Sequence, residues 1–264
     1  MIAAAPSLGR RVAFAPSWPK RLVLPALAVY TVYACSTLDI TWSRFVAGFG
    51  HGAEFIQRML PPNFTRWELL LKGLIESVQI AVIASFVGVV LSLPLGLLAA
   101  RNMMPFWVTA PTRTFIALCR SFHPVIVAIL FVKAVGFGAL AGILALIVGS
   151  LGFIAKLFAE AIEEISLRQV EAVRATGAPF LNVITFGVLP QVLSRFVGFA
   201  LYQLDSNLRN STMVGIVGAG GVGGTLFAAF KRFDYDFVCA ILIVVIALIM
   251  IGEIFSQRLR RVFL

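Results

Sequence analysis

Glu171 and Arg174 stand one helical turn apart in the stretch Glu171-Ala-Val-Arg-Ala-Thr-Gly177, with Ala172 and Ala175 beside them. An acid and a base at this spacing share a helix face, and the small alanines leave room for another backbone against it. The chemistry on offer is docking rather than bond making. Gly177 supplies a helix C-terminus with Pro179 just beyond it, and Leu189-Pro190 restarts a helix downstream. The same residues also suit an ordinary amphipathic helix between two hydrophobic spans. Glu164 and Arg168 add an i,i+4 pair in the favourable order, a support of about 0.2 to 0.5 kcal/mol for a local helix.

A second polar group closes a hydrophobic run. Asp205, Asn207, Arg209, Asn210, Ser211 and Thr212 precede a glycine-rich stretch that includes Gly220 and Gly221. A fixed guanidinium with several neutral donors suits phosphoryl oxygens, although Asp205 is placed to neutralise Arg209. Ionisable side chains at membrane depth cost about 2.5 to 3.5 kcal/mol on insertion scales and face a cavity or a partner. The segment therefore reads as a polar pathway, with Arg209, Ser211 or Thr212 meeting a passing anion. The glycines fit close packing or gating, and taken singly also a loose turn. No Gly-Lys-Ser/Thr follows them and no βαβ pattern surrounds them, so nucleotide binding by this chain is rejected.

Other chemistry is sparse. In Arg120-Ser-Phe-His123-Pro124 the histidine reads as a hydrogen-bonded packing residue rather than a proton relay, and Pro124 as a kink. No acidic metal cluster, Ser-His-Asp set or pair of catalytic carboxylates stands out, so the chain is expected to be neither an enzyme nor a holder of metal or cofactor. Cys35, Cys119 and Cys239 lie in apolar segments without CxxC spacing and read as packing residues.

The elements that must position these groups are membrane helices. Of 264 residues 60% are hydrophobic and 13% charged, which excludes an ordinary soluble domain. Apolar runs long enough to cross a bilayer lie at Leu22 to Leu38, Ser77 to Ala100, Thr114 to Val132, Ala134 to Ala155, Leu189 or Pro190 to Leu208, and Phe237 to Phe255. That predicts six helices, an even number, with both termini on one side. The net charge of +10 gathers where spans end rather than forming a nucleic-acid surface. Arg10, Arg11, Lys20 and Arg21 precede the first span, Arg258, Arg260 and Arg261 follow the last, and Arg101 with Arg113 falls in another loop of the same side. Both termini are therefore expected in the cytoplasm. Pro6, Pro16 and Pro19 argue for an uncleaved anchor rather than a twin-arginine export signal. The segment from Asp39 to Lys72, with Pro61-Pro62-Asn63, reads as an external linker with interfacial aromatics. It separates an accessory region, 1–60, from a body, 61–264, whose cytoplasmic loop occupies about 156–190.

The stretch from Glu171 to Pro190 resembles the EAA loop of ABC-importer membrane subunits. Glu171 and Ala172 occupy its first two positions, Gly177 its glycine, and Leu189-Pro190 its closing pair. Val173 departs from the usual alanine, and Gly187 stands where the pattern has an isoleucine. Glu163-Glu164, Gly187-Val-Leu-Pro-Gln, Asn207-Leu-Arg-Asn-Ser-Thr and Val217-Gly-Ala-Gly-Gly-Val-Gly are together similar to permease subunits of phosphonate ABC importers, over residues from about Glu68 to Leu264. That family usually follows its Arg-Ser pair with a proline and an acid, where this chain has His123 and Pro124.

The resemblance implies an all-α integral membrane protein, a type I importer core of five helices plus an N-terminal accessory helix. It implies a permease in the cytoplasmic (inner) membrane, with a second copy of itself, a cytoplasmic ABC ATPase dimer that binds ATP and Mg, and an external substrate-binding protein as partners. Glu171, Ala172, Arg174, Gly177, Leu189 and Pro190 would couple to the ATPase. Asn207, Arg209, Asn210, Ser211, Thr212, Gly220 and Gly221 would line the substrate path. The cargo would be phosphonate or a related phosphorus oxyanion. Methionine, an osmolyte or another oxyanion is the nearest alternative, and an ion channel or membrane-embedded enzyme lies further off.

Overall fold

A computed structural model describes residues 18–38 and 41–263. Arg10, Arg11, Pro6, Pro16 and Asp39 lie outside the described residues. The chain divides into two compact units, Met1–Gln57 and Arg58–Leu264, and all regular structure among the described residues is helical. Among the described residues four helices are long and apolar enough to cross a bilayer, or up to six spans result if each of two bent helix pairs counts as one.

The first unit is built from α1 (Trp18–Thr37) and most of α2 (Trp42–Met59). Side chains such as Leu24 and Val32 of α1 are exposed, as lipid-facing residues are. Residues expected to be linker fold as α2. Phe45, Phe49 and Ile56 recur at spacings of four and seven, which places them on one helix face. The rings of Trp42, Phe45 and Phe49 pack in sequence, 5.4 Å and 5.2 Å apart.

The second unit is organised around α3 (Trp67–Ala99) and α6 (Ala139–Glu163), which pack along much of their length. Small residues permit this. A Cβ on Gly88 would sit 2.5 Å from Ser150 Cβ, and one on Gly96 would sit 2.6 Å from a Phe158 ring carbon, so the backbones approach as in other small-residue membrane interfaces. Helix α9 (Leu189–Ile216) crosses both, and α11 (Tyr235–Phe263) packs on α9. At 33 residues α3 is about 50 Å long, well beyond the roughly 30 Å hydrocarbon layer. Its first turns, with Glu68, Lys72 and Glu76, extend past that layer.

Two expected spans change. The run from Thr114 to Val132 is not one helix: α4 (Phe106–Ser121) and α5 (Pro124–Val135) meet at 91°. Pro124 takes the first position of α5 and His123 caps it, its Nδ1 accepting the Val125 N–H at 3.4 Å. Proline cannot continue a helix through that point but is favoured at its start. The span expected to end near Leu208 instead runs helical to Ile216, so all of Asp205 to Thr212 lies on α9.

Ion pairs and hydrogen bonds sort the loops to two ends. Arg113 pairs with Glu163 at 2.5 Å, the Arg101 N–H donates to Glu163 at 2.8 Å, and Asn102 donates to the Ile162 carbonyl at 2.7 Å. The α3–α4 loop therefore shares an end with the α6–α7 connection. At the other end Asn63 donates to Asp236 at 2.9 Å, Arg66 pairs with Asp234 at 3.1 Å, and the Gly138 N–H donates to the Gly218 carbonyl at 3.0 Å.

Candidate functional site

Helix α7 (Leu167–Ala175) stands between α6 and α9 and buries a single side chain, Val170. That valine enters a cluster with Ile162, Val183, Val188, Val192 and Phe196. Gln191 fixes the entry to α7: its Oε1 accepts the Ser166 N–H at 3.0 Å, and its Nε2 donates to the Gly187 carbonyl at 2.6 Å. Glu164 does not pair with Arg168. Residue 164 caps α6 while 168 belongs to the next helix, and Glu164 instead pairs with Arg195 at 2.5 Å, clamping the end of α6 to α9.

The outward face of α7 carries Arg168, Glu171, Ala172 and Arg174, all exposed. Among the described residues neither Glu171 nor Arg174 makes an ion pair. The helix ends where expected. Gly177 adopts φ +78° with open space around it, the left-handed position that favours glycine, and its N–H donates to the Arg174 carbonyl at 2.9 Å. Pro179 then caps a single turn, α8 (Phe180–Asn182), which passes through a π-helical turn at Val183–Val188 into Leu189 and Pro190 at the head of α9.

The two departures from the EAA pattern face one another. A Cβ on Gly187 would lie 3.4 Å from Val170 Cα and 3.7 Å from a Val173 methyl. The Val173 side chain thus borders the space that a side chain at 187 would take.

Within the body, Gln203 and Asn207 lie one turn apart on α9 and are buried. Gln203 Nε2 donates to Ser150 and to Asn207 Oδ1, each at 3.0 Å; Asn207 Nδ2 donates to Ser85 at 2.9 Å and to Ser150 at 3.0 Å. These amides tie α9 to α3 and α6, as buried polar groups require. Beside them a cavity of about 240 Å³ is lined by Arg120, Tyr202, Gln203, Ser206, Asn207 and Asn210, among others.

Of the expected pathway residues, Asn207 and Asn210 line this cavity, whereas Arg209, Ser211, Thr212, Gly220 and Gly221 do not. Arg209 pairs with the buried Asp205. Ser211 is buried and donates to the Leu208 carbonyl at 2.8 Å, so its hydroxyl serves the helix. Thr212 gives its carbonyl to a close crossing, against which any Cβ at Gly223 would collide. Gly220 and Gly221 form a packed turn. Gly221 has φ +78°, a Cβ there would fall 2.5 Å from Ser77 Oγ, and that hydroxyl accepts the Val222 N–H at 2.8 Å. Sequence reasoning missed Arg120, Gln203, Ser85 and Ser150. Their signal was modest: neutral polar residues one turn apart, and single serines, inside apolar runs.

What this fold and interior define is a membrane permease subunit. The chain matches the model of the binding-protein-dependent transport system inner membrane component over residues 92–263, more than half its length, and belongs to that family. It is a multi-pass inner-membrane protein. It is 42% identical over 208 residues to the phosphate-import permease protein PhnE of Mycolicibacterium smegmatis, a match covering 77% of this chain but 38% of that relative. The phosphite transport system permease protein PtxC of Stutzerimonas stutzeri is 40% identical, covering 77% of this chain and 74% of its own length. The putative phosphite transport system permease protein HtxC of the same organism is 34% identical over 92% of this chain and 85% of its own. Among solved structures, an inward-facing form of the MetNI methionine ABC transporter superposes with TM-score 0.65 and 25% identity, covering 76% of this chain and 99% of that one. The expected all-α importer-permease fold is thereby confirmed, with its helix breaks corrected as above.

Proposed function

We propose that this chain is the membrane permease of an ATP-driven importer for a phosphonate or a related phosphorus oxyanion. One observation carries the reading: relatives named for phosphate and phosphite transport are 34% to 42% identical to it over most of its length. In this reading two copies of the chain form the pathway. A cytoplasmic ATPase pair, which holds ATP and Mg, docks on α7, and an external binding protein delivers the cargo. The basic end that carries Arg101, Arg113, Arg168, Arg174 and Arg195 faces the cytoplasm, as the positive-inside rule requires, and both termini with it.

Helix α7 is suited to transmit force. Among the described residues it presents outward an acid and two bases that make no ion pair, while Val170 packs it against α6 and α9, Gln191 ties its start to α9, and the Glu164–Arg195 pair clamps those two helices together. A push on α7 therefore reaches the two helices that frame the interior cavity. ATP binding biases the assembly between inward- and outward-facing arrangements, a population shift between two packed states. In this reading residues 1–60 are an accessory region and residues 61–264 the transport core.

The reading is tested by co-purifying the chain with candidate ABC ATPases of the same organism and measuring ATP hydrolysis with a binding protein. Hydrolysis stimulated by binding protein loaded with phosphite, phosphate or methylphosphonate is the expected result. An ATPase that never associates, or stimulation by methionine and by none of the three, overturns it.

A further inference from the structure

We propose that the α4–α5 break and α9 hold a transient site for a small phosphoryl anion inside the permease, with Arg120 as its charge and Ser206 and Asn210 as its neutral hydrogen-bonding groups. The inference rests on the phosphorus-oxyanion reading and names the place where the permease itself meets the cargo.

The cavity's 240 Å³ or so corresponds to about eight waters at ~30 Å³ each, room for a tetrahedral oxyanion with part of its hydration shell. Among the described residues that line it, Arg120 is the formally charged one. Among the described residues Arg120 makes no ion pair and no side-chain hydrogen bond. An uncompensated guanidinium within a span is costly and belongs with a ligand or an aqueous path. Its placement is built in, since a Cβ on Gly152 would fall 2.6 Å from Arg120 Cγ and 3.0 Å from its backbone nitrogen. The α6 glycine lets the end of α4 lie against it, and Pro124 turns the chain away immediately afterwards.

The neutral groups divide by how fully they are used. Both Asn207 amide hydrogens and its oxygen serve the network with Ser85, Ser150 and Gln203, so Asn207 is scaffold. Ser206 and Asn210, one turn apart, are joined by a long 3.4 Å contact and are free to turn to a guest. An Arg fork with hydroxyl and amide donors matches phosphoryl oxygens.

Arg120 also lines a second cavity, about 340 Å³, with Arg101, Arg113, Lys156 and Glu160. There Glu160 is paired with Lys156 at 3.4 Å, and Arg113 with Glu163 at 2.5 Å. Among the described residues the guanidinium groups of Arg101 and Arg120 make no ion pair. Arg120 thus joins an interior cavity to one nearer the end that carries α7, and an anion released from the first meets positive charge on its way. Binding must stay weak enough for release, as in other conducting sites.

The test uses the complete complex of permease, ATPase and binding protein in proteoliposomes, with phosphite as the probe. Wild-type complex that imports none of phosphite, phosphate or methylphosphonate sinks the functional reading itself. Given wild-type uptake, Arg120→Gln is expected to lower it about tenfold or more while hydrolysis stimulated by the loaded binding protein persists, and Arg120→Lys to recover part of the loss. Uptake by Arg120→Gln equal to wild type, or equal loss of uptake and hydrolysis in both variants, overturns the site. A second measurement does not depend on those variants. With Cys35, Cys119 and Cys239 replaced by alanine, the thiol introduced by Ser206→Cys should react faster with an anionic than a cationic thiosulfonate, and phosphite should slow the reaction. Labelling indifferent to reagent charge and to phosphite overturns the proposal. So does protection that appears only when the vesicles contain phosphatidylglycerol, since the phosphoryl group held would then be a lipid's.

Discussion

Replacing Gly187 by isoleucine, the residue the EAA pattern usually carries there, should push α7 away from the body rather than improve the motif. A Cβ at 187 alone reaches 3.4 Å from Val170 Cα, ordinary contact, but 3.7 Å from a Val173 methyl it has no space for the further carbons of isoleucine. Val170 is 1% exposed and its Cα is backbone, so relief has to come from movement of α7 or of Val173. Overpacking of this kind costs about 1 to 3 kcal/mol. Val173→Ala removes the nearest side-chain contact of the new residue, so the double variant should recover part of the loss, with a coupling of about 0.5 to 3 kcal/mol. Thermal unfolding of the detergent-solubilised complex, with ATPase co-purification beside it, reads both quantities. Gly187→Ile as stable and as well coupled as wild type, or strictly additive losses in the double variant, would refute the overpacking argument.

Three further outcomes follow from named contacts. Glu171→Lys should insert normally yet lose ATPase association or substrate-stimulated hydrolysis, because the acid is exposed on α7 and makes no ion pair; unaltered uptake and coupling would remove it from the docking face. Asn207→Leu takes one hydrogen-bond partner each from the buried Ser85, Ser150 and Gln203, leaving Ser85 to the Ala81 carbonyl and Gln203 to Ser150 alone, and should cost about 1 to 3 kcal/mol, seen as a lowered Tm, with an unchanged Tm counting against the network. Gly221→Ala combines a left-handed φ of +78° with a Cβ 2.5 Å from Ser77 Oγ, so it should reduce folded yield far more than Gly177→Ala, whose Cβ meets open space; equal yields would deny that the glycine turn is a packing element.

The α7 region was legible because its signals are local. An acid and a base one turn apart, a glycine at the helix end and a proline beyond it are read along the chain, and the observed φ at Gly177 agrees. Long apolar runs gave α3, α6 and α11 to within a turn or two at one end and less well at the other, since charged residues such as Glu160 and Glu163 continue a helix once it leaves the hydrocarbon layer. The α4–α5 break was half legible: Pro124 announced a distortion, but the apolar content of the flanking residues hid a 91° turn. Asn207 read as part of a polar pathway and not as a packing group because its partners are far away in sequence. Ser85 and Ser150 lie 122 and 57 residues from Asn207, and only the fold brings them together. Arg120 was visible as a residue, and its cavity was not.

The most direct measurement of the central claim is ATP-driven uptake by the purified permease, ATPase and binding protein in sealed proteoliposomes, comparing radiolabelled phosphite, phosphate, methylphosphonate and methionine. Accumulation of at least one phosphorus oxyanion, dependent on ATP on the ATPase side and on binding protein on the other, is the predicted result. Accumulation of methionine alone, or flux of any of these solutes that needs neither ATP nor binding protein, would contradict it.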